Sequence, residues 1–273
     1  MTVSTPQSTT RTVELLGGLT ITVDEYGDAA AADGAGALVL HGGAGPRSVA
    51  GFAAALAEHT YVIVPTHPGF DGTPRPESTD TIGDLATAYL DLIEALGLDS
   101  AMVIGNSVGG WIAAEMGLRD NTGRITALVM MASTGITPEP PLEIADPSKL
   151  GPARTSELAF HNPRFRLNPA TMTDQQRAGM AANQGALAVY ASLGHDPKLR
   201  GRLHRVTVPV LVLAGEQDGI VPLEYERVLA DSFPRGTFRC ITEAGHFPQI
   251  EQPGQVFAAI GDFVDTEVKP DEN

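Results

Sequence analysis

The sequence predicts an α/β fold, a mostly parallel, doubly wound sheet carrying one inserted helical lid. Three observations point there. Short unbroken apolar runs, which suit strands covered on both faces, alternate with helical patterns. The alternation stops between about residues 135 and 203 and then resumes. A glycine-rich turn, Gly105 to Gly110, joins a strand to the helix that follows it.

Taken in order, Arg11 to Leu16 and Leu19 to Tyr26 read as a hairpin around Gly17 and Gly18. Ala37 to Leu40 is an apolar strand, Val49 to Glu58 a short helix, and Tyr61 to Pro65 another strand. Ile82, Leu85, Ala86, Tyr89, Ile93 and Leu96 recur at helical spacing, behind the capping candidates Thr79 and Asp80 and ahead of a closing Gly97. Strand Ala101 to Gly105 enters a helix that starts near Ser107 and ends around Arg119, followed by strand Ile125 to Ala132. Residues 135–203, rich in Pro, Asn, Arg and Met, form the expected lid of short helices. Strand Val208 to Gly215, helix Leu223 to Phe233, strand Thr237 to Thr242 and a helix from Gly254 to Val264 then complete the alternation. The core is thus expected over 11–134 and 204–266, with loose termini at 1–10 and 267–273 and fraying from Asp265.

The chain has 273 residues, 42% of them hydrophobic, enough to bury a sizeable core. Its 18 basic and 33 acidic residues leave a formal charge of -15, a field that repels phosphate backbones and anionic headgroups. Neither nucleic acid nor membrane is therefore expected as a partner; the charge names no substrate, and the partner expected is a small molecule, on a monomer or homodimer. The single cysteine, Cys240, excludes an intramolecular disulfide and reads as a buried apolar filler in its strand. No Cys/His clustering suggests a metal, and no cofactor is expected. The polar opening Met1 to Thr10 lacks the basic start and apolar run of a secretory signal, so a cytoplasmic location is expected.

Gly105-Asn106-Ser107-Val108-Gly109-Gly110 contains G-x-S-x-G between a predicted strand and a predicted helix. A turn this sharp strains the serine backbone and crowds its neighbours, so the flanking positions must be small. Here the sequence resembles the α/β-hydrolase family, from about residue 12 to 264. Leu40-His41-Gly42-Gly43 looks like that family's oxyanion loop, and Thr66-His67-Pro68-Gly69-Phe70 like the segment after its next strand.

The resemblance implies a serine hydrolase in which Ser107 is the nucleophile, His246 the general base and Asp218 the supporting acid. A serine hydroxyl is a weak nucleophile and needs such a base, oriented in turn by an acid. Of seven histidines, His246 alone follows the last strand, in Glu243-Ala244-Gly245-His246-Phe247. Asp218 lies past strand Val208 to Gly215, with Glu216 as its nearest rival. Relatives that place the acid after the preceding strand have no counterpart here, because Ala132-Ser133-Thr134 carries no carboxylate. By resemblance the backbone N–H groups of Gly43 and Val108 form the oxyanion hole, with Ala44 as a substitute for Gly43.

Ester cleavage through an acyl-enzyme asks least of the pocket and is the leading expectation. The alternative is carbon–carbon hydrolysis of meta-cleavage products, in a group sharing the Asn106-Ser107 pair and the His41-Gly42-Gly43 loop. That group carries tryptophan where this chain has Phe247, and it grips a substrate carboxylate with a lid arginine. Asn106, Phe247, Arg164 and Arg166 are the substrate-binding candidates, with Arg154 behind them. A perhydrolase, a hydroxynitrile lyase or a ligand receptor would keep the same scaffold, because fold alone does not fix function.

Overall fold

The computed structural model describes residues 8–268. One sheet of eight strands organises them: β1 (Thr9–Glu14), β2 (Thr20–Tyr26), β3 (Ala35–Leu40), β4 (Val62–Thr66), β5 (Ser100–Asn106), β6 (Ile125–Met131), β7 (Val210–Gly215) and β8 (Gly236–Ile241). Their spatial order is β1-β2-β4-β3-β5-β6-β7-β8. β1 and β2 form an antiparallel hairpin, β2 meets β4 antiparallel, and all pairs from β4 to β8 are parallel. Strand order reverses at β3, which has β4 on one side and β5 on the other. The loops leaving β3 and β5 therefore diverge around a crevice at the carboxyl edge of the sheet, where such folds bind ligands.

The apolar strands are covered on both faces, as their unbroken runs require. Leu38, Leu40, Val103, Leu128 and Val212 face one cluster with α2 (Ile82–Ala95), α3 (Val108–Arg119) and α6 (Leu223–Asp231). Val39, Ile104, Val129, Leu211 and Leu213 face the other, with α1 (Arg47–Leu56) and α8 (Pro253–Phe263). Between β6 and β7 lie α4 (Pro147–Ala159), α5 (Asp174–Tyr190) and short 3-10 turns, without a strand of the sheet. A four-residue α7 (Pro248–Glu251) follows β8.

Four local expectations need correction. The cap of α2 is Thr81, whose hydroxyl accepts the Asp84 N–H while Asp84 accepts the Thr81 N–H, one step beyond Thr79 and Asp80. Thr9 and Thr10 already pair in β1 instead of lying loose; residues 1–7 fall outside the described part. After α8 the chain makes a π-helical turn over Val264–Val268 instead of fraying from Asp265, while 269–273 lie outside the description. Cys240 is only half-buried, because β8 is the edge of the sheet.

Candidate active site

Ser107 sits between β5 and α3 at φ 57 and ψ -120, a left-handed conformation costing a non-glycine residue about 1–3 kcal/mol. Close packing on both sides holds it there. A Cβ on Gly105 would stand 2.2 Å from the Gly109 carbonyl, and one on Gly109 2.3 Å from the Leu40 oxygen, so the elbow closes only with glycine at both places. The Ser107 N–H donates to the Met131 carbonyl at 2.9 Å. Ser107 stays partly exposed while Asn106 and Val108 are buried.

The loop after β8 brings His246 to Asp218, with Nδ1 2.8 Å from Oδ2. These side chains are 8% and 2% exposed, so little solvent competes for the contact. The other Asp218 oxygen accepts the N–H groups of Ile220 and Val221 at 2.7 and 3.0 Å, which fixes the carboxylate plane. An imidazole facing a carboxylate through Nδ1 carries its proton there and leaves Nε2 free to accept one. Glu216, the rival acid, is exposed and accepts from the Gln217 amide instead. Asn106 ties the elbow to the histidine loop: its Nδ2 donates to the carbonyls of Met131 and His246, both at 3.1 Å.

The loop after β3 approaches from the other side. A Cβ on Gly42 would lie 2.8 Å from the Ser107 Cβ, so this glycine is pressed against the elbow. His41 and His67 hold the loop as a buried stacked pair, ring centroids 3.7 Å apart. The His67 N–H donates to His41 Nε2 at 3.1 Å, so the His41 proton sits on Nδ1 and is donated to the Gly42 carbonyl at 2.7 Å. His67 Nε2 in turn donates to the His41 carbonyl at 2.8 Å, while its Nδ1 accepts from the Tyr89 hydroxyl. Burial pushes the His41 pKa down to about 4; burial and then its His41 neighbour push His67 well below its usual range. Both rings are thus neutral near pH 7. Among the described residues, no protein acceptor takes the N–H of Gly43 or Val108.

The insertion covers these loops. A Cβ on Gly43 would meet Leu187 Cδ2 of α5 at 2.9 Å. Asn183, also on α5, accepts the Asp71 N–H at 2.8 Å, and Tyr190 donates to the Pro68 carbonyl at 3.0 Å. At the other end Phe160 stacks on Phe247, with centroids 5.0 Å apart, and Phe247 meets the His246 ring edge-on at 5.3 Å. Arg164 is exposed and lies over the Phe165 ring, 4.3 Å from its centroid. Arg166 donates to the carbonyls of Phe160 and His161, and Arg154 pairs with Glu157 at 2.9 Å. Sequence reasoning missed Leu187, Asn183 and Tyr190; the moderate helical patterning of α5 was the only signal, and it names no partner.

Residues 37–260 match the family model described as Alpha/beta hydrolase family. The chain belongs to the alpha/beta hydrolase family. It is a hydrolase of that fold, and among its described residues no helix is long and apolar enough to cross a membrane. A 2-hydroxymuconate semialdehyde hydrolase of Pseudomonas sp. (strain CF600) is 27% identical over 225 residues, covering 77% of this chain and 78% of its own. A pimeloyl-[acyl-carrier protein] methyl ester esterase of Aromatoleum aromaticum is 25% identical over 249 residues, covering 83% and 97%. Among solved structures of alpha/beta hydrolases, the 2-hydroxy-6-oxo-6-phenylhexa-2,4-dienoate hydrolase of Rhodococcus sp. strain RHA1 superposes with a TM-score of 0.72. It covers 94% of this chain and 99% of its own at 21% identity, a likeness of fold.

Proposed function

We propose that this chain is a serine hydrolase that cleaves a small to medium carboxylic ester or related acyl substrate through Ser107, His246 and Asp218. The observation that carries the reading is the buried 2.8 Å contact between His246 Nδ1 and Asp218 Oδ2, in a loop that Asn106 ties to the elbow of the strained Ser107. His246 Nε2 takes the Ser107 proton as Oγ attacks the substrate carbonyl. The oxyanion is received by the N–H groups of Val108 and Gly43, and His246 then protonates the leaving alcohol. Water, deprotonated by the same imidazole, attacks the acyl-enzyme and restores Ser107. Loss of one oxyanion donor is worth about 3 kcal/mol in the transition state.

Carbon–carbon hydrolysis is the second reading, favoured by the 27% identical relative named for 2-hydroxymuconate semialdehyde and by the shared Asn106-Ser107 pair. The deciding experiment is intact-mass analysis after a fluorophosphonate, on wild type and Ser107→Ala, beside a p-nitrophenyl ester series and a meta-cleavage dienoate. One adduct lost in the variant, with turnover of short esters, is the expected result. An adduct with dienoate turnover alone moves the assignment to the second reading, and no adduct overturns both. Under the second reading, Arg164→Ala and Arg166→Ala raise KM for the dienoate far more than for a neutral ester; equal effects remove both arginines from substrate binding.

A further inference from the structure

Glu251 is an acidic side chain with a burial few carboxylates have, 6% exposed at the end of α7. It lies five residues after His246 and touches neither Ser107 nor Asp218 in any hydrogen bond. Its two oxygens are instead filled by backbone N–H groups from two separate parts of the chain. Oε2 accepts Gly245 N–H at 2.7 Å and His161 N–H at 3.2 Å, and Oε1 accepts Asn162 N–H at 2.7 Å. Gly245 belongs to the loop that presents His246; His161 and Asn162 belong to the insertion, just past α4.

Two further contacts join the same segments. The His246 N–H donates to the Ala159 carbonyl at 2.8 Å, and the Phe160 ring stacks on Phe247. A Cβ on Gly245 would lie 2.4 Å from the Ala159 oxygen, so the two backbones are in direct contact. Residues 159–162 and 245–247 thus form one hydrogen-bonded unit, with Glu251 the side chain that accepts from both segments. Charge-assisted bonds of this kind are about twice as strong as neutral ones, and burial shields them from competing water.

We infer that Glu251 is a positioning residue that clasps the insertion to the histidine loop, so that the seating of residues 159–162 sets the orientation of His246. The inference rests on the serine-hydrolase reading and extends it. It makes the base loop and the cover over the site a single mechanical element: a displacement of the insertion at this end moves the base. A glutamine at 251 keeps shape and volume but turns one acceptor into a donor aimed at N–H groups, so at least one of the three is left facing an NH2. That change removes the negative charge and one acceptor while leaving the packing volume in place.

The test compares wild type with Glu251→Gln, using fluorophosphonate titration to count competent Ser107 sites and ester turnover to read kcat and KM per titrated site. The expected result is a kcat lower by about 10- to 100-fold with KM nearly unchanged, the signature of a misplaced base. Hydrogen exchange rises together in peptides covering 159–162 and 243–247. Phe160→Ala, which leaves the sheet untouched, loosens the same unit from the insertion side and speeds exchange in 243–247 even where Glu251→Gln does not accumulate. Unchanged kcat per titrated site in Glu251→Gln, or unchanged exchange at 243–247 in Phe160→Ala, overturns the inference. Failure of wild type to label at Ser107 overturns the serine-hydrolase reading instead, so the two failures are separable.

Discussion

At the scale of single residues, the site places ionisable groups where water cannot reach them, and each sets a pH limit on stability. Unfolded imidazole protonates near 6.5, whereas His41 in the folded chain resists protonation until about pH 4. Stability is therefore complete above 6.5 and is lost as pH falls toward 4, by about 3 kcal/mol for His41 alone, with His67 adding in the same direction. Urea midpoints should fall steadily between pH 7 and 4.5; a flat series would mean that the pair is solvated. Glu226 imposes the opposite limit. It is 1% exposed on α6 with neither carboxyl oxygen hydrogen-bonded, and burial, then the charge of Asp218, raise its pKa well above 4.5. The folded chain keeps a proton that the unfolded chain releases, so stability is complete below 4.5 and falls as pH rises. Glu226→Gln should flatten the decline of the urea midpoint from pH 6 to 9, and a parallel decline in both proteins would show that Glu226 is ionised when folded.

At the scale of elements, the strands and helices that define the sheet were readable because both faces of each central strand are covered, which leaves an uninterrupted apolar run to see. The elbow was readable because its packing demands glycine. Where burial is one-sided the reading slipped: β1 is exposed at all but Val13, so Thr9 and Thr10 looked like a polar tail. Glu226 and Glu251 were illegible for a related reason, since an acidic residue on a short helix reads as solvent-facing until its neighbours are known. The docking of α5 was equally hidden, because Asn183 finds Asp71 across 112 positions. The glycines make a prediction at this scale. On Gly109 a methyl meets a backbone carbonyl at 2.3 Å, whereas on Gly43 it meets only the tip of Leu187 at 2.9 Å. Gly109→Ala should lose at least about 3 kcal/mol or fail to accumulate, while Gly43→Ala should unfold within about 1 kcal/mol of wild type; equal midpoints would refute the packing argument.

At the scale of the whole molecule, the insertion is held on both sides of the elbow. Through α5 it touches the loops after β3 and β4, through Leu158 the loop after β7 and through residues 159–162 the loop after β8, so β5 and Ser107 lie between these supports. If this span is a lid, freeing one support widens access to Ser107 without disturbing the base. Asn183 is the place to free it, because its amide both accepts the Asp71 N–H and donates to the Asp71 carboxylate, 4% exposed, remote from His246 in the sheet order. Asn183→Ala should cost about 0.5–1.5 kcal/mol of stability through the lost hydrogen bond to the Asp71 amide. It should also shift the preferred chain length in a p-nitrophenyl ester series upward, with kcat for the shortest ester close to wild type. An unshifted preference would mean that substrate reaches Ser107 by a route this support does not guard, and a kcat loss equal across all lengths would mean that both supports act on the base.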